Sequence, residues 1–336
     1  MTGLATLLGI GAVATAVVWI GSSALEGASG KLARHYGLPR LVQGTIIAAV
    51  GSSAPEIASA VIATIRYGEF ELGIGIIVGS AVFNILVIPA LSALLADGTL
   101  DTGRDVVYKE AQFYMVSVAA LFLILALAVI YYPADGGELE GVVTRPLAGS
   151  LLALYGLYIF VQYLDVTEAT VPTTTLSRGS LFRQWGSLLG GIALIIVGIE
   201  GLVFAAIGLG EAFDTPSFLW GLTVVAAATS LPDTFISIAA ARIDEPAVSL
   251  GNVLGSNIFD LLVAIPAGVM LAGATSVSFA AAVPMMAFLV VATIALFTFA
   301  RTNMEITNRE AWAMLGLYAV FIVWLLLESV GLVDIV

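Results

Sequence analysis

Long apolar runs separated by short polar segments dominate the chain. A helix needs about 20 mainly apolar residues to cross a bilayer, and ten runs come close to or exceed that length. They cover 4–27, 39–65, 70–96, 107–131, 146–163, 184–210, 216–241, 246–271, 276–299 and 310–332. The connections between these runs are short, and the longest is 164–183. The pattern therefore predicts an all-α polytopic membrane protein with ten transmembrane helices.

The composition supports a membrane setting and excludes several kinds of chemistry. Of the 336 residues, 60% are apolar and 11% are charged, whereas roughly a quarter of the residues in a soluble domain are charged. The chain has no cysteine and a single histidine, His35. These counts exclude disulfide frameworks and thiol catalysis, and they argue against a histidine-based zinc protease or a serine protease triad. The net charge of −12 argues against a nucleic-acid partner.

The basic residues predict the orientation of the chain. Two of them, Arg66 and Arg145, lie in loops on one side. The loops after runs 1, 3, 5, 7 and 9 hold the rest, namely Lys31, Arg34, Arg40, Arg104, Lys109, Arg178, Arg183, Arg242, Arg301 and Arg309. Because cytoplasmic loops of membrane proteins carry an excess of Lys and Arg, we predict a multi-pass cell-membrane protein with both termini outside.

A sequence repeat relates the two halves of the chain. Residues 44–56 match residues 221–233 at an offset of 177, and residues 79–84 match residues 255–260 at an offset of 176. Each copy of the repeat covers five runs. Since five is odd, the second copy enters the membrane from the opposite side, and such inverted repeats are typical of secondary transporters.

The repeat also predicts the domain organisation. We expect two inverted five-helix halves, residues 1–163 and 184–336. Residues 164–183 would form the cytoplasmic linker between them.

Acidic, amide and hydroxyl side chains fall inside runs 2, 3, 7 and 8. An ionisable group at membrane depth costs several kcal/mol and usually serves function. Each acid or amide follows a Ser or Thr by three or four positions, which places both on one helix face. The candidate ligands are Ser52, Ser53, Glu56, Ser80, Asn84, Thr229, Ser230, Asp233, Ser256 and Asp260. A set made only of oxygen ligands suits hard cations such as Ca²⁺ and Na⁺.

Two prolines at equivalent repeat positions, Pro55 and Pro232, add backbone oxygens to this prediction. A proline within a helix leaves the carbonyl four residues earlier without its hydrogen bond, and a free carbonyl is tolerated at membrane depth where it lines a cavity or an ion site. The candidates for freed carbonyls are Gly51 and Ala228, and the bends are expected to loosen Ala49 and Ala226.

Other residues in the runs have structural interpretations. The glycines at 75, 79, 251 and 255 are expected to permit close helix approach. Glu26 and Glu200 lie near run ends or on less clear faces. We interpret them as interfacial or packing residues, with a role in lining an ion path as the alternative.

The repeat motifs resemble a known family. The segments GSSAPE (51–56), GSAVFN (79–84), ATSLPD (228–233) and GSNIFD (255–260) are similar to the paired α-repeats of the calcium/cation antiporter superfamily. The resemblance implies two inverted five-helix halves with an ion site at the centre of runs 2, 3, 7 and 8. It implies the same ten side chains as ligands, with backbone carbonyls at Ala49 and Ala226. It also implies that runs 1 and 6 slide across the remainder to alternate access.

One branch of the superfamily fits best. The segment 73–84 and the pairing of Asp233 with Asp260 are similar to potassium-dependent sodium/calcium exchangers. The resemblance implies that most prokaryotic relatives carry Glu at position 233, so the shorter Asp233 enlarges the site or takes in a water. Potassium dependence is therefore a hypothesis for this chain.

The motifs together predict a secondary active antiporter that exchanges Na⁺ for Ca²⁺ by alternating access, and not an enzyme. We predict no cofactor, with Ca²⁺ and Na⁺ as transported ions and K⁺ left open. The bilayer is the expected surrounding, and no obligate protein partner is evident.

Three alternative functions remain open. The first is a Ca²⁺/H⁺ antiporter on the same scaffold, although the neutral hydroxyl and amide oxygens favour Na⁺. The second is a passive cation channel, against which the inverted repeats argue. The third, an intramembrane protease, would require two acids in contact without a ring of hydroxyls.

Overall fold

The computed structural model describes residues 3–38, 49–95, 99–104, 106–134, 139–165, 175–242 and 246–329, and 87% of these described residues are helical. The helices are α1 (Leu4–His35), α2 (Ala49–Ser52), α3 (Ala54–Tyr67), α4 (Phe70–Leu95), α5 (Ala111–Tyr131), α6 (Arg145–Asp165), α7 (Arg178–Phe213), α8 (Ser217–Trp220), α9 (Ala226–Arg242), α10 (Pro246–Phe259), α11 (Ile265–Ala272), α12 (Phe279–Arg301) and α13 (Asn308–Ser329). Three π-helical turns, Val106–Glu110, Gly221–Val225 and Asp260–Ala264, continue directly into α5, α9 and α11.

Within the described part of the chain, nine helical segments are long and apolar enough to cross a membrane. They correspond to runs 1 and 3–10 of the sequence. The predicted run 2 (39–65) falls partly on residues 39–48, which lie outside the described residues. Its described part is α2 followed by α3. The protein is thus a polytopic helical membrane protein.

Four short strands, which the hydropathy pattern did not predict, join distant parts of the chain. β1 (Thr99–Asp101) pairs antiparallel with β4 (Glu305–Thr307). β2 (Glu140–Thr144) pairs antiparallel with β3 (Ala274–Ser278). Each sheet therefore connects a segment of the first predicted half to a segment of the second.

Helices α1 and α7 pack closely along their length. A Cβ atom added to Gly21 would lie 2.9 Å from the carbonyl oxygen of Gly191, and one added to Gly191 would lie 2.7 Å from that of Gly21. Both distances are shorter than real Cβ contacts. The two helices can approach this closely because glycine presents no side chain at the crossing.

Helix α4 is the central helix of the fold and is buried along most of its length. It crosses the second-half segment 217–242 at glycines. A Cβ on Gly79 would lie 2.1 Å from the carbonyl oxygen of Leu222, and one on Gly75 would lie 2.9 Å from that of Phe218. The expected close approach at Gly75 and Gly79 is present in the structure. At Gly251 and Gly255 no described backbone comes as close, and Thr45, the repeat counterpart of Leu222, lies outside the described residues.

Several helices extend beyond the predicted runs. Helix α1 continues to His35, and α7 begins at Arg178, six residues before the predicted start of run 6. The Ser177 hydroxyl accepts a hydrogen bond from the Ser180 amide at 3.3 Å and caps α7. Of the predicted linker, residues 164–165 end α6, residues 175–177 precede α7 and residues 178–183 begin it, while 166–174 lie outside the described residues.

Candidate functional site

A helix break places the first acidic residue. Helix α2 ends at Ser52 and α3 begins at Ala54, with Pro55 in the first turn of α3. Since proline has no N–H, it fits the first turn of a helix but not its interior. Glu56 therefore sits at the N-terminal end of α3, where the exposed backbone amides favour a negative charge. Its side chain is 2% exposed.

The second copy of the motif reaches the same kind of position without a break. Helix α9 runs through Pro232 and carries Thr229, Ser230 and Asp233. The Thr229 hydroxyl donates to the carbonyl of Ala226 at 3.1 Å. The π-helical turn Gly221–Val225 immediately precedes α9, and such wide turns often occur near functional sites.

Helix α4, helix α10 and the π-helical turn after α10 carry the remaining candidate ligands. Ser80 and Asn84 lie one turn apart in α4, and both are almost completely buried. Ser256 lies in α10, and Asp260 starts the π-helical turn that follows that helix. Asp260 is 1% exposed, so this turn presents a carboxylate inside the protein.

Hydroxyl contacts join the four helical segments. The Ser52 and Ser256 hydroxyls lie 2.9 Å apart, and the Ser80 and Ser230 hydroxyls lie 2.8 Å apart. The Ser80 hydroxyl also reaches Oε1 of Glu56 at 3.4 Å. The first contact joins α2 to α10, and the second joins α4 to α9. The motifs of the two repeats therefore meet in one place.

The carboxylates lie close together within this cluster. The charges of Glu56 and Asp233 both act on Asp260. No Lys or Arg among the described residues forms a salt bridge with any of the three acids. Within the described part of the chain, the site is therefore strongly acidic and has no Lys or Arg paired with its acids.

Several buried oxygens in the cluster have no hydrogen-bond partner among the described residues. They are Ser53 Oγ, Glu56 Oε2, Asn84 Oδ1, Asp233 Oδ1 and Asp260 Oδ1. Burying a polar atom without a partner is costly, and each such atom requires an explanation. Unpartnered carboxylate, amide and hydroxyl oxygens are suitable ligands for a hard cation.

The structure brings all ten predicted side-chain ligands into buried positions, each at most 8% exposed. The Ala226 carbonyl accepts from Thr229. Ala49 begins α2, and its side chain lies outside the described part. Among the described residues, no three Asp, Glu or His side chains converge tightly enough to hold a metal ion by themselves. A cation at this place would therefore draw on hydroxyl, amide and backbone oxygens as well.

One buried polar residue beside the cluster was missed by the sequence analysis. Asn257, which is fully buried, accepts a hydrogen bond from the Asn84 amide at 2.9 Å. It donates to the carbonyl of Ala81 at 3.1 Å and lies 3.4 Å from the Tyr114 hydroxyl. The available signal was the departure from the repeat, because Asn257 stands where the first copy has Ala81.

The two acids given structural interpretations have distinct settings. Glu200 forms a 2.9 Å ion pair with Arg66 and accepts a 2.6 Å hydrogen bond from Tyr67, as expected of a packing residue. Glu26 lies on α1 near the helix break, since a Cβ on Gly51 would lie 3.8 Å from its Cα atom. The charge of Glu26 acts on Asp233. The alternative role in an ion path therefore remains open for Glu26.

The fold and the site define a polytopic membrane protein that buries a group of carboxylate, amide and hydroxyl oxygens, a feature typical of membrane transporters. Residues 6–164 and 183–327 match the model of the family described as "Sodium/calcium exchanger protein". The chain therefore belongs to the sodium/calcium exchanger family of the calcium/cation antiporter superfamily, as the α-repeats indicated.

Individual relatives agree with this assignment. The chain is 29% identical over 319 residues to an uncharacterised membrane protein of Methanocaldococcus jannaschii, covering 94% of this chain and 97% of the relative. It is 30% identical over 242 residues to the inner membrane protein YrbG of Escherichia coli, covering 69% of this chain and 70% of the relative. It is 24% identical to the sodium/calcium exchanger MaX1 of Methanosarcina acetivorans, covering 90% of this chain and 93% of the relative.

The fold is also similar to that of a solved exchanger. The sodium-calcium exchanger NCX_Mj superposes with a TM-score of 0.61 at 24% sequence identity, covering 96% of this chain and 99% of that chain.

Proposed function

We propose that this protein is a secondary active antiporter that exchanges Na⁺ for Ca²⁺ across the cell membrane by alternating access. The observation that carries the proposal is the group of three buried carboxylates, Glu56, Asp233 and Asp260, which have unpartnered oxygens and no ion pair with a Lys or Arg among the described residues. The exchangers among its relatives support the choice of ions.

The proposed ligands are the side chains that the motifs predicted, together with the backbone carbonyls at Ala49 and Ala226. Glu56 and Asp233 would form the centre of a divalent site. Their neighbours in the site would be Ser52, Ser53, Ser80, Asn84, Thr229, Ser230, Ser256 and Asp260. The hydroxyl contacts between segments support this grouping because they hold oxygens from four segments in one place.

The uncompensated charge explains why exchange, rather than leak, would follow. Taking several carboxylates out of water without partners costs much more than burying neutral groups. The protein with an empty, charged site should therefore change slowly between its outward-facing and inward-facing states. Binding of one Ca²⁺ or of several Na⁺ neutralises the same oxygens, so the two ions compete and each can carry the site across.

We also propose the ten-helix arrangement as two inverted halves, 1–163 and 184–336. The strand pairs support it. β1 and β3 follow the corresponding third runs of the two halves, and β2 and β4 follow the corresponding fourth runs. The sheets β1–β4 and β2–β3 are thus exchanged by the symmetry that exchanges the halves.

Potassium is a proposed third ion. The chain is 22% identical to human sodium/potassium/calcium exchanger 5, covering 69% of this chain and 63% of the relative. The carboxylate of Asp233 ends one methylene short of that of Glu, which would leave more space in the proposed site. If K⁺ occupies that space during exchange, Ca²⁺ transport should require K⁺ on the same side.

The test of the proposed function is ⁴⁵Ca²⁺ uptake by proteoliposomes loaded with Na⁺ and diluted into Na⁺-free buffer. Matched vesicles carry a K⁺ gradient or a pH gradient instead, and each condition is repeated with and without external K⁺. Uptake that requires the Na⁺ gradient is the expected result. Uptake driven by the pH gradient alone would replace this proposal with Ca²⁺/H⁺ antiport. Identical uptake with and without K⁺ would reject the potassium hypothesis.

A further inference from the structure

Two buried amides face each other beside the cation cluster. Nδ2 of Asn84 in α4 lies 2.9 Å from Oδ1 of Asn257 in α10. Asn84 is 1% exposed and Asn257 is fully buried. An amide presents a donor on one side and an acceptor on the other, so the orientation of each amide decides which atom faces the ions.

A backbone carbonyl fixes the direction of this hydrogen-bond chain. The carbonyl oxygen of Ala81 can only accept, and Nδ2 of Asn257 lies 3.1 Å from it. The Asn257 oxygen must then point the other way, towards Asn84. Asn84 must meet that oxygen with its NH₂ group. Its own carbonyl oxygen is left on the far side, buried and without a hydrogen-bond partner in the described part of the chain.

The direction continues towards the acids. Nδ2 of Asn84 also donates to the Ser80 hydroxyl at 3.4 Å. Ser80 accepts there, so its own proton is available to Ser230 at 2.8 Å or to Glu56 at 3.4 Å. The Ala81 carbonyl thus sets the polarity of the contacts as far as the Glu56 carboxylate.

We propose that Asn257 is a positioning residue for the cation site. It holds the Asn84 amide in the orientation that presents the carbonyl oxygen, rather than the NH₂ group, to the transported ion. Asn257 acts through Asn84 and need not touch the ion. The inference rests on the proposed function to the extent that Asn84 is a cation ligand.

The asymmetry of the two repeats supports this role. At an offset of 176, Asn84 corresponds to Asp260 and Asn257 corresponds to Ala81. A carboxylate has oxygen at both ends and needs no orienting partner, whereas an amide does. The copy that carries the amide is matched by an orienting asparagine in the other copy, and the copy that carries the carboxylate is matched by alanine.

The first test is equilibrium binding of ⁴⁵Ca²⁺ to the purified protein in detergent, which needs no ion gradient. In Asn257→Leu, the Asn84 amide loses its acceptor and can turn its NH₂ group towards the ion. Since one hydrogen-bond-sized interaction is worth about 1 kcal/mol or slightly more, we expect affinity to fall about tenfold.

Two controls separate positioning from simple packing. Tyr114→Phe removes the distant 3.4 Å contact of Asn257 and leaves its Ala81 anchor in place, so affinity should be unchanged. Ser249→Ala removes a buried hydroxyl two turns away in α10, and it should also bind like the wild type. If Asn257→Leu does not yield monodisperse protein, Asn257→Ala removes the same acceptor without adding bulk.

A double-mutant cycle gives the second test. Asn84→Asp places oxygen at both ends of the side chain, so its orientation no longer matters. The change should therefore improve Ca²⁺ affinity about tenfold more in the Asn257→Leu background than in the wild type. Equal effects in both backgrounds, or wild-type affinity in Asn257→Leu, would overturn the positioning role. If the wild-type protein binds Ca²⁺ but shows no Na⁺-driven uptake, the proposed function fails while the binding series still decides the role of Asn257.

Discussion

At the scale of single residues, the three buried acids are the feature that helix packing alone does not explain. Glu56, Asp233 and Asp260 are each at most 4% exposed, and each has one oxygen without a hydrogen-bond partner. A fold gains no stability from such groups. Under the proposed function, ions that bind there during transport would explain their presence in the interior.

We expect Glu56→Gln or Asp233→Asn to abolish Ca²⁺ transport without unfolding the protein. Each change removes a charged ligand and leaves its shape. The loss of an interaction with a charged group costs up to about 3 kcal/mol, which corresponds to roughly a hundredfold in affinity. The measurement is ⁴⁵Ca²⁺ uptake into Na⁺-loaded vesicles, with size-exclusion profiles as the check on folding.

The matched control is Glu110→Gln. Glu110 is partly buried, and it accepts hydrogen bonds from Tyr158 and Gln162 rather than facing the cation cluster. This variant should retain transport. Exchange that persists in Glu56→Gln would remove Glu56 from the set of proposed ligands.

The candidate ligands could be found from sequence because they contradict their surroundings. Glu56 and Asp233 are acids in apolar runs, and they recur at equivalent repeat positions. The position of each oxygen could not be found in this way. That Thr229 bonds to its own helix, or that Asn257 reaches the Ala81 carbonyl, depends on how α4 and α10 meet in space.

At the scale of secondary-structure elements, glycine decides where the site helices cross. Gly79 precedes Ser80 in α4, and its missing side chain lets α4 contact the π-helical turn at Leu222. The same crossing brings the Ser80 hydroxyl to that of Ser230.

Gly79→Ala should therefore destabilise the protein. The added Cβ atom would lie 2.1 Å from the Leu222 carbonyl oxygen, which requires the helices to separate. Overpacking of this kind costs about 1–3 kcal/mol. We expect a lower midpoint of thermal unfolding for the detergent-solubilised protein and a loss of Ca²⁺ uptake.

Gly156→Ala provides the comparison for that variant. No described atom lies within 4 Å of a Cβ built on Gly156 in α6, so the midpoint should stay at or above the wild-type value. An unchanged midpoint in Gly79→Ala would show that α4 and the Leu222 turn do not pack as closely as in the structure.

The hydropathy pattern predicts the existence of the elements better than their details. Apolar runs mark the helices because the bilayer demands about 20 such residues. The runs do not show that α7 begins at Arg178, because that end depends on a cap at Ser177 and on charged residues beyond the bilayer. They also contain no sign of the π-helical turns or of the four strands, whose hydrogen bonds depend on neighbouring segments.

At the scale of the whole molecule, orientation and exchange are the two properties left to experiment. The absence of cysteine from the chain makes the orientation easy to measure. Any cysteine introduced at the surface is the sole target for a thiol reagent.

We predict that Thr302→Cys is labelled only from the cytoplasmic side and Leu139→Cys only from outside. Thr302 lies in the loop after run 9, and Leu139 lies in the loop after run 4. Both are exposed. Labelling of intact cells with a membrane-impermeant maleimide, before and after permeabilisation, measures this. Labelling of Thr302→Cys in intact cells would reverse the orientation predicted from the basic residues.

The central claim is that the buried acidic site changes its access from one side of the membrane to the other only when bound cations neutralise it. The most direct measurement is the efflux of ⁴⁵Ca²⁺ from loaded proteoliposomes into buffers with and without Na⁺, with choline as the replacement cation. We predict rapid efflux with external Na⁺, accompanied by ²²Na⁺ entry, and efflux near the level of protein-free vesicles with choline. Equally rapid efflux into both buffers would contradict the account, because it would mean that Ca²⁺ leaves through an open path and is not exchanged.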